Sequence, residues 1–520
     1  MSRRRPAAAD LFGLLLGVGV GLGVGLTGCA VGPNYRPPAP DAPAAFAAAA
    51  AEHMTPPPPS DSPPPDLAAW WRALNDPELD SLVERAVKSN LDLEIALTRL
   101  QQARTYEALV VGHALPEVDA AAAAGRGTGS DLTRARAPQA LGSADNSSGL
   151  QHINTIAGFD TVWELDVFGK YRREIEAAHY GAQAAAAARN AVITSITADV
   201  VRAYVDLRGL QIHAGILRNA SDNLRESLRI VTIRFERGIT NELDVALATR
   251  ELDTLAAQIA PVDAQVSALR YTLAVLLGEY PENIAGELAK PDLIPSMPGP
   301  VAPGVPLDLL KRRPDIQRAE RELAAATAHI GVAIADLFPR VSLVGAVGSQ
   351  EQGWGTVPNL AKHIWSFGPA AVWPLLDFGA LDAQIGIAQL AAHASLLNYR
   401  KSILSAVQEV DTALDAYSAQ QDRLKNLGEA MIAGQRAVDL ATARYERGLT
   451  DFLNVVDAER QFYVLQEQYA AAQVAQGEQF VQLYKSLGGG WEGYQQVPAI
   501  RRPQPAIIAA FRRTLTSSAP

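Results

Sequence analysis

The 520-residue chain is poor in the groups that catalysis and metal binding most often need. Its single cysteine, Cys29, excludes a disulfide framework and a cysteine metal cluster. The eight histidines are scattered, and none stands in an H-E-x-x-H pattern. Positive charge is outnumbered, 46 Lys and Arg against 56 Asp and Glu, so the net charge of −10 gives no general reason to bind nucleic acid. Aromatics are 6% of residues. Two catalytic look-alikes fail on context. Gly23-Val24-Gly25-Leu26-Thr27-Gly28 fits G-x-G-x-x-G but lies in an apolar leader, not a βαβ unit. Asp377-Phe378-Gly379 has no catalytic loop or β3 lysine with it. No nucleophile–base set is found, so the expectation is no enzyme, no cofactor and no metal.

At the N-terminus, Arg3-Arg4-Arg5 precedes the apolar stretch Leu11–Leu26, which is shorter than the roughly 20 residues of a membrane span. Leu26-Thr27-Gly28-Cys29 follows, the layout of a secretory signal. The cysteine stands where a bacterial lipobox places it. The resemblance to lipoproteins implies cleavage before Cys29 and its acylation; Ala30, in place of an aspartate, favours outer-membrane delivery. Residues 1–28 are thus expected as signal peptide and 29–66, rich in Pro and Ala, as a lipidated tether.

The folded part says nearly the same thing twice. Arg234-Phe235-Glu236-Arg237-Gly238-Ile239-Thr240 returns as Arg444-Tyr445-Glu446-Arg447-Gly448-Leu449-Thr450, an offset of 448 − 238 = 210. Trp163 and Trp373 keep that offset, as do Leu277-Gly278 and Leu487-Gly488. Before the strands the offset is 223, seen in Asp92 with Asp315 and Pro116 with Pro339, so the first intervening loop carries 13 extra residues. The two repeats are expected over 67–280 and 307–490, with a proline-rich linker at 281–306 and a C-terminal tail at 491–520.

Within each repeat the period changes. From Asn154 to Asp166, Thr155, Ala157, Phe159, Thr161, Trp163 and Leu165 share one face, and Asp160, Glu164 and Asp166 fall on the other. That alternation predicts a strand. Its length suits a membrane strand with a polar lumen side, and it also suits a soluble hairpin. Strands are predicted again near Arg340–Gly348 and Ser366–Leu376. From Lys170 onward, Ile196, Val200, Ala203, Leu207, Leu210, Ala214, Leu217, Ser221, Leu224, Leu228, Val231 and Phe235 step by four and three, a heptad seam in a helix free of proline up to Gly238. The seam recurs 210 residues on, weakened at Gln420 and Gly434. Asp76 with Pro77, and Asn241 or Thr240, are the expected helix starts. Each repeat therefore gives a helix, two strands and a long helical hairpin. Four strands cannot close a barrel, so strands in a membrane would have to be shared between chains.

The lipobox, Val31-Gly32-Pro33-Asn34-Tyr35, Trp71 with Asp76-Pro77, Arg313-Pro314-Asp315-Ile316, the paired Arg-Gly turns and Leu487-Gly488-Gly489-Gly490-Trp491 together resemble the outer membrane factor (TolC/OprM-like) family, in its NodT-type lipoprotein branch. The resemblance implies a mainly α fold with membrane β: a homotrimer whose helical hairpins form an α-barrel continuous with a 12-stranded outer-membrane β-barrel. It implies a passive duct that serves an inner-membrane RND-type pump through a periplasmic adaptor, anchored in outer membrane lipid. Carried onto this chain, the adaptor-docking tips are Arg237, Gly238, Ile239 and Thr240 with Arg447, Gly448, Leu449 and Thr450. The periplasmic gate positions are Tyr445, Asn454 and Asp457, with Asn454 replacing the commoner aspartate. Trp163 and Trp373 are expected as membrane girdle residues. The competing readings are a periplasmic adaptor or other coiled-coil assembly lipoprotein, and a lipid-anchored enzyme.

Overall fold

The computed structural model describes residues 30–39, 43, 45–47, 66–127, 152–284, 286–298, 312–352 and 363–495. The expected signal peptide, Cys29, most of the tether and the C-terminal tail beyond Gln495 lie outside the described residues. Asp76 opens the fold as expected. Its carboxylate accepts from the Glu78 and Leu79 amides at 2.9 and 3.2 Å, and Pro77 takes the first turn of α1 (Pro77–Ser89). Asn90 separates α1 from α2 (Leu91–His113) by accepting from Asp92 N and Leu93 N. Strands β1 (Glu117–Gly127) and β2 (His152–Leu165) follow, then the long helix α3 (Lys170–Glu236) and its return α4 (Glu242–Leu276). The second copy is α5 (Pro314–Ala335), β3 (Arg340–Gln352), β4 (His363–Val372), α6 (Ala380–Glu446) and α7 (Phe452–Ser486). Both long helices have 67 residues and both returns have 35. Pro261 sits inside α4 without ending it. No described helix is long and apolar enough to cross a membrane.

The strands form one antiparallel sheet in the order β1-β2-β3-β4. Ala120, Phe159, Val347 and Trp365 share one rung, and Val118, Thr161, Gly345 and Phe367 the next on the same face. Phe159, Val347, Trp365 and Phe367 are exposed there. The opposite face carries Asp119, Asp160, Ala346 and Ser366 on one rung and Glu164, Ser342 and Ala370 on another. The split agrees with the alternation, with one correction. Asp166 lies past the strand end, where its carboxylate accepts from the Tyr171 and Arg172 amides at 3.1 and 2.9 Å. It starts α3 and does not belong to the polar sheet face.

The chain divides into two compact units that cut across the repeats. One unit takes the N-terminal part to Ala39, Gln102–Ala186 and Arg318–Ser402, and contains the sheet. In it the repeat offsets recur as geometry. Trp163 Nε1 donates to Ala114 O at 3.1 Å, and Trp373 Nε1 donates to Leu337 O at 3.0 Å. The segment from Ala30 is held by Arg173, a buried guanidinium that donates to Val31 O (3.0 Å), Gly32 O (3.3 Å) and Asn34 Oδ1 (2.7 Å). Val31 N donates to Phe168 O at 3.1 Å, and Tyr35 Oη to Glu320 at 2.6 Å.

The other unit takes Pro40–Gln101, Ala187–Gln317 and the chain from Ile403. Trp70 stacks on Tyr484 at 5.3 Å, with Phe480 edge-on to Trp70 and Tyr417 tilted against Phe480. Buried Arg208 donates through its terminal nitrogens to Glu78, to Gln211 (2.9 Å) and to Lys290 O (2.9 Å), while its Nε has no hydrogen-bond partner among the described residues. Arg313 binds Asp315, Glu409 and Ser486 O; these partners raise its pKa although burial opposes them. The first seam is as read: from Ile196 to Val231 its positions are buried, apart from half-buried Leu210 and Leu228, and Phe235 is exposed. In α6 the seam is buried at Val410, Ala413 and Tyr417 and only half-buried at Leu424, Leu427, Met431 and Val438. Gly434 has a packing reason, since a Cβ there would meet Leu465 Cδ1 at 2.8 Å.

Candidate functional site at the hairpin ends

Each hairpin reverses through the same hydrogen-bonded cap. Gly238 N donates to Phe235 O and Ile239 N to Arg234 O, both at 2.8 Å. In the second copy Gly448 N donates to Tyr445 O and Leu449 N to Arg444 O, both at 2.9 Å. Gly238 and Gly448 have φ of 68° and 71°. A side chain in that left-handed conformation costs roughly 1–2 kcal/mol, which selects glycine. Past the glycines, Ile239 and Leu449 are 60% and 64% exposed. Arg237 and Arg447 are exposed, and Thr240 and Thr450 are half-buried. Leu243 and Leu453 are exposed one turn further on. The motif reading passed over this leucine pair, although the 210 offset relates the two.

The threonines brace the turns in opposite senses. Thr240 Oγ1 donates to the Asp244 carboxylate, whereas Asn454 Nδ2 donates to Thr450 Oγ1 at 2.7 Å. Asn241 caps α4 by accepting from Asp244 N at 3.1 Å, and Asp451 stands at the N-cap of α7 with no side-chain cap bond.

Of the three expected gate residues, the structure brings only two onto one face. Tyr445 is buried in a cluster that ties both hairpin ends together: Val231 and Ala248 from the first, and Tyr445, Phe452, Val455 and Val456 from the second. Its ring lies 5.3 Å from that of Phe452 and carries the Arg234 guanidinium 4.4 Å from its centroid, a cation–π contact. Burial pushes the Tyr445 hydroxyl up, with Arg234 opposing. Asn454 and Asp457 are exposed on the other side of α7. Asp457 is paired with Arg460 at 3.0 Å. Both partners are more than half exposed, so the pair contributes little stability, yet it sets a positive charge beside the expected acidic ring. Arg460 was legible as an i+3 partner and was missed.

Glu459, on the inward side of α7, is buried. Ser227 lies 3.4 Å from one of its oxygens, and the other has no hydrogen-bond partner among the described residues. Burial raises its pKa, with Ser227 acting against it. Among the described residues no group of His, Cys, Asp and Glu could hold a metal ion. Trp163 and Trp373 lie at the strand ends next to α3 and α6, both exposed.

Long paired hairpins and an open four-stranded sheet with an apolar outer face define a subunit of an outer-membrane channel. Comparison with known proteins agrees. The family model described as "Outer membrane efflux protein" matches residues 82–279 and 305–489. Nodulation protein T of Rhizobium leguminosarum bv. trifolii is 30% identical over 472 residues, covering 90% of this chain and 95% of that protein. The antibiotic efflux pump outer membrane protein ArpC of Pseudomonas putida is 30% identical, covering 91% and 94%. The solved outer-membrane channel OprN superposes with a TM-score of 0.79 at 34% identity, covering 89% of this chain and 100% of that one. The MtrE channel of Neisseria gonorrhoeae gives 0.74 at 25%, covering 90% and 100%. The chain belongs to the outer membrane efflux protein family. It is an outer-membrane channel protein of efflux systems, and the family is one of passive channels, not enzymes. The adaptor and enzyme readings fall away.

The raised pKa of Glu459 has a definite sign. A carboxyl whose native pKa exceeds its unfolded value adds stability that is fully present below the unfolded pKa. That stability is lost as pH rises through the native pKa. Glu459→Gln should therefore raise the thermal midpoint at pH 8 and leave it nearly unchanged at pH 4, measured by circular dichroism in detergent. An equal shift at both pH values would rule out the ionisation as the cause.

Proposed function

We propose that three copies of the chain form a passive, periplasm-spanning exit duct for small molecules, fed by an inner-membrane RND-type pump through a periplasmic adaptor. The observation that carries this reading is the doubled hairpin end. Two turns with the same cap geometry each offer an exposed aliphatic pair, Ile239 with Leu243 and Leu449 with Leu453. Backbone freed of a Cβ at Gly238 and Gly448 lets partner helices approach closely. Three chains would present six such ends to an adaptor. Arg237, Thr240, Arg447 and Thr450 flank these apolar tips as polar contacts. The relatives' names span antibiotics, solvents, toluene and pyoverdine, which fits a duct whose cargo is chosen by the pump.

Four strands from each chain would make a 12-stranded barrel with the Phe159, Trp365 and Phe367 face toward lipid and the Asp119, Asp160 and Glu164 face toward the lumen. Trp163 and Trp373 suit the aromatic girdle. Cys29 is the proposed acylated residue. Ala30 packs against Gly169, just before α3, where a Cβ on the glycine would stand 2.6 Å from Ala30 Cα. A lipid on the preceding residue would then enter the membrane beside the barrel wall. At the hairpin ends, Asn454 and Asp457 would narrow the resting aperture, while buried Tyr445 holds the two hairpins together behind it.

Three measurements bear on these assignments. Gly448→Val should weaken binding of the cognate adaptor about tenfold or more with the trimer intact, because the strained tip no longer presents Leu449; unchanged binding in surface plasmon resonance would count against tip docking. Asp457→Ala should raise single-channel conductance or relieve cation block in planar bilayers, and no change in either would remove Asp457 from the gate. Cells producing the Cys29→Ser chain should incorporate no radiolabelled palmitate into it; label retained at the wild-type level would place the lipid elsewhere.

A further inference from the structure

Each hairpin is held within itself by apolar contacts, whereas the junction between the two hairpins of one chain carries groups that titrate. In the first hairpin Ala214, Leu217 and Val262 form a buried cluster, joined by Leu255 and Ile259. In the second, Gly434 of α6 lies against Leu465 and Phe462 of α7. Across the junction of α3 with α7, His213 meets Glu467 at 3.2 Å and Ser227 meets Glu459 at 3.4 Å. Further along, Asp206 of α3 faces the like charge of Glu478 on α7. Beside that pair the helices are in close contact, since a Cβ on Gly477 would lie 2.7 Å from Val205 Cγ1.

Two of these carboxyls are poorly served as anions. Glu459 and Asp206 each have one buried oxygen with no hydrogen-bond partner among the described residues. Burial pushes Asp206 up to about 6, Glu478 adds to the rise, and Arg202, one turn earlier on α3, opposes it. Arg202 itself donates to Gln482 at 3.4 Å, and Lys485 reaches Asp199 at 3.7 Å. Glu459 has no charge to offset its burial; only the Ser227 hydroxyl acts against it. On its own helix Asp457 pairs with Arg460, and on α3 Glu226 pairs with Arg229, all four exposed. Arg436 and Asp439 of α6 are exposed, and Arg250 of α4 pairs with Glu251. Tyr463, one turn beyond Glu459, is pushed up to about 12 by burial and by Glu459, so it stays neutral.

We propose that the α3–α7 junction is a proton-operated catch, in which Glu459 and Asp206 hold the two hairpins together while protonated and drive them apart when ionised. A carboxylate left in a dry junction without a counter-charge is costly, and parting the helices lets water in to solvate it. Ionised Asp206 and Glu478 also repel. The sign follows from the raised native values: the hold is fully present below the unfolded pKa and is lost as pH rises through the native one. His213 acts in the same sense, because it forms an ion pair with Glu467 only when protonated.

The catch rests on the duct reading for its consequence. Next to it on α7, Val455 and Val456 join the apolar cluster that ties the hairpin ends, a contact with no charge of its own to titrate. Asn454 and Asp457 lie within about a turn and a half of Glu459 on the same helix. Acid would therefore hold the aperture residues against the first hairpin, and a rise in pH would free them.

The test is hydrogen exchange, read by mass spectrometry on the full-length trimer in detergent, for the α7 segment from Phe452 to Gln466. After correction for the pH dependence of intrinsic exchange, opening in the wild type should rise about tenfold or more from pH 5 to pH 8, because a carboxyl with a native value of about 6 is still mostly protonated at pH 5. Glu459→Gln/Asp206→Asn should show equal protection at both pH values, and the single isosteric change Glu459→Gln should at least halve the response. Glu226→Gln, which removes an exposed carboxylate outside the junction, should keep all of it. Wild-type protection independent of pH, or a full response surviving in Glu459→Gln, would overturn the catch and leave the duct reading standing. The expected response in a trimer that passes no ions in planar bilayers at either pH would overturn the duct reading and leave the catch.

Discussion

In hydrocarbon a backbone N–H or C=O has no water to bond, and each one left unsatisfied costs several kcal/mol. The sheet meets that requirement along β2 and β3 and leaves it unmet along the outer sides of β1 and β4, as far as the described residues extend. That shortfall governs much else in the chain. The strands must be completed by other copies, so the helices that follow them must present faces to other copies as well. The exposed aromatics of β4 and the exposed aliphatic stripe at the start of α6 answer the same demand at two depths. One needs backbone partners in lipid, and the other needs apolar cover in water.

The duplicated plan serves assembly and is then broken locally. The heptad seam is deeply buried in α3 and shallower in the lower part of α6, so the two hairpins are not equally held. At their ends one cap geometry serves twice, but the residue behind the threonine changes from Asp244 to Asn454 and the hydrogen bond reverses its sense. Arg234 of the first copy and Tyr445 of the second join the two hairpin ends through a cation–π contact. The two hairpin ends are alike in backbone and unlike in the side chains that brace them.

Buried charge is placed where segments distant in sequence must meet. Arg173 fastens the N-terminal strap, Arg208 joins α3 to α1 and to the chain near Lys290, and Arg313 ties the start of α5 to the end of α7. Each guanidinium reaches backbone carbonyls as well as a carboxylate, which is what makes burying an arginine tolerable. Their removal would leave unpaired acceptors at junctions that otherwise hold few hydrogen bonds.

Local pattern marked most of the elements. Strict alternation marked β2, an unbroken heptad with no proline marked α3, and Arg-Gly marked both reversals, because these patterns arise from local backbone geometry that the side chains cannot evade. The repeat offsets, 210 and 223, proved to be spatial rules, as the matching tryptophan bonds to Ala114 and Leu337 demonstrate. What the sequence could not decide was which residues of a periodic face meet a partner. Asp166 continues the alternation and yet caps a helix, because the strand ends one residue earlier. Tyr445 sits among gate candidates and yet is turned into the seam, while Asp457 acquires Arg460. Asp119 joins Asp160 on one rung only once the register is fixed. Such outcomes depend on contacts between segments tens to hundreds of residues apart, and local pattern carries no record of them.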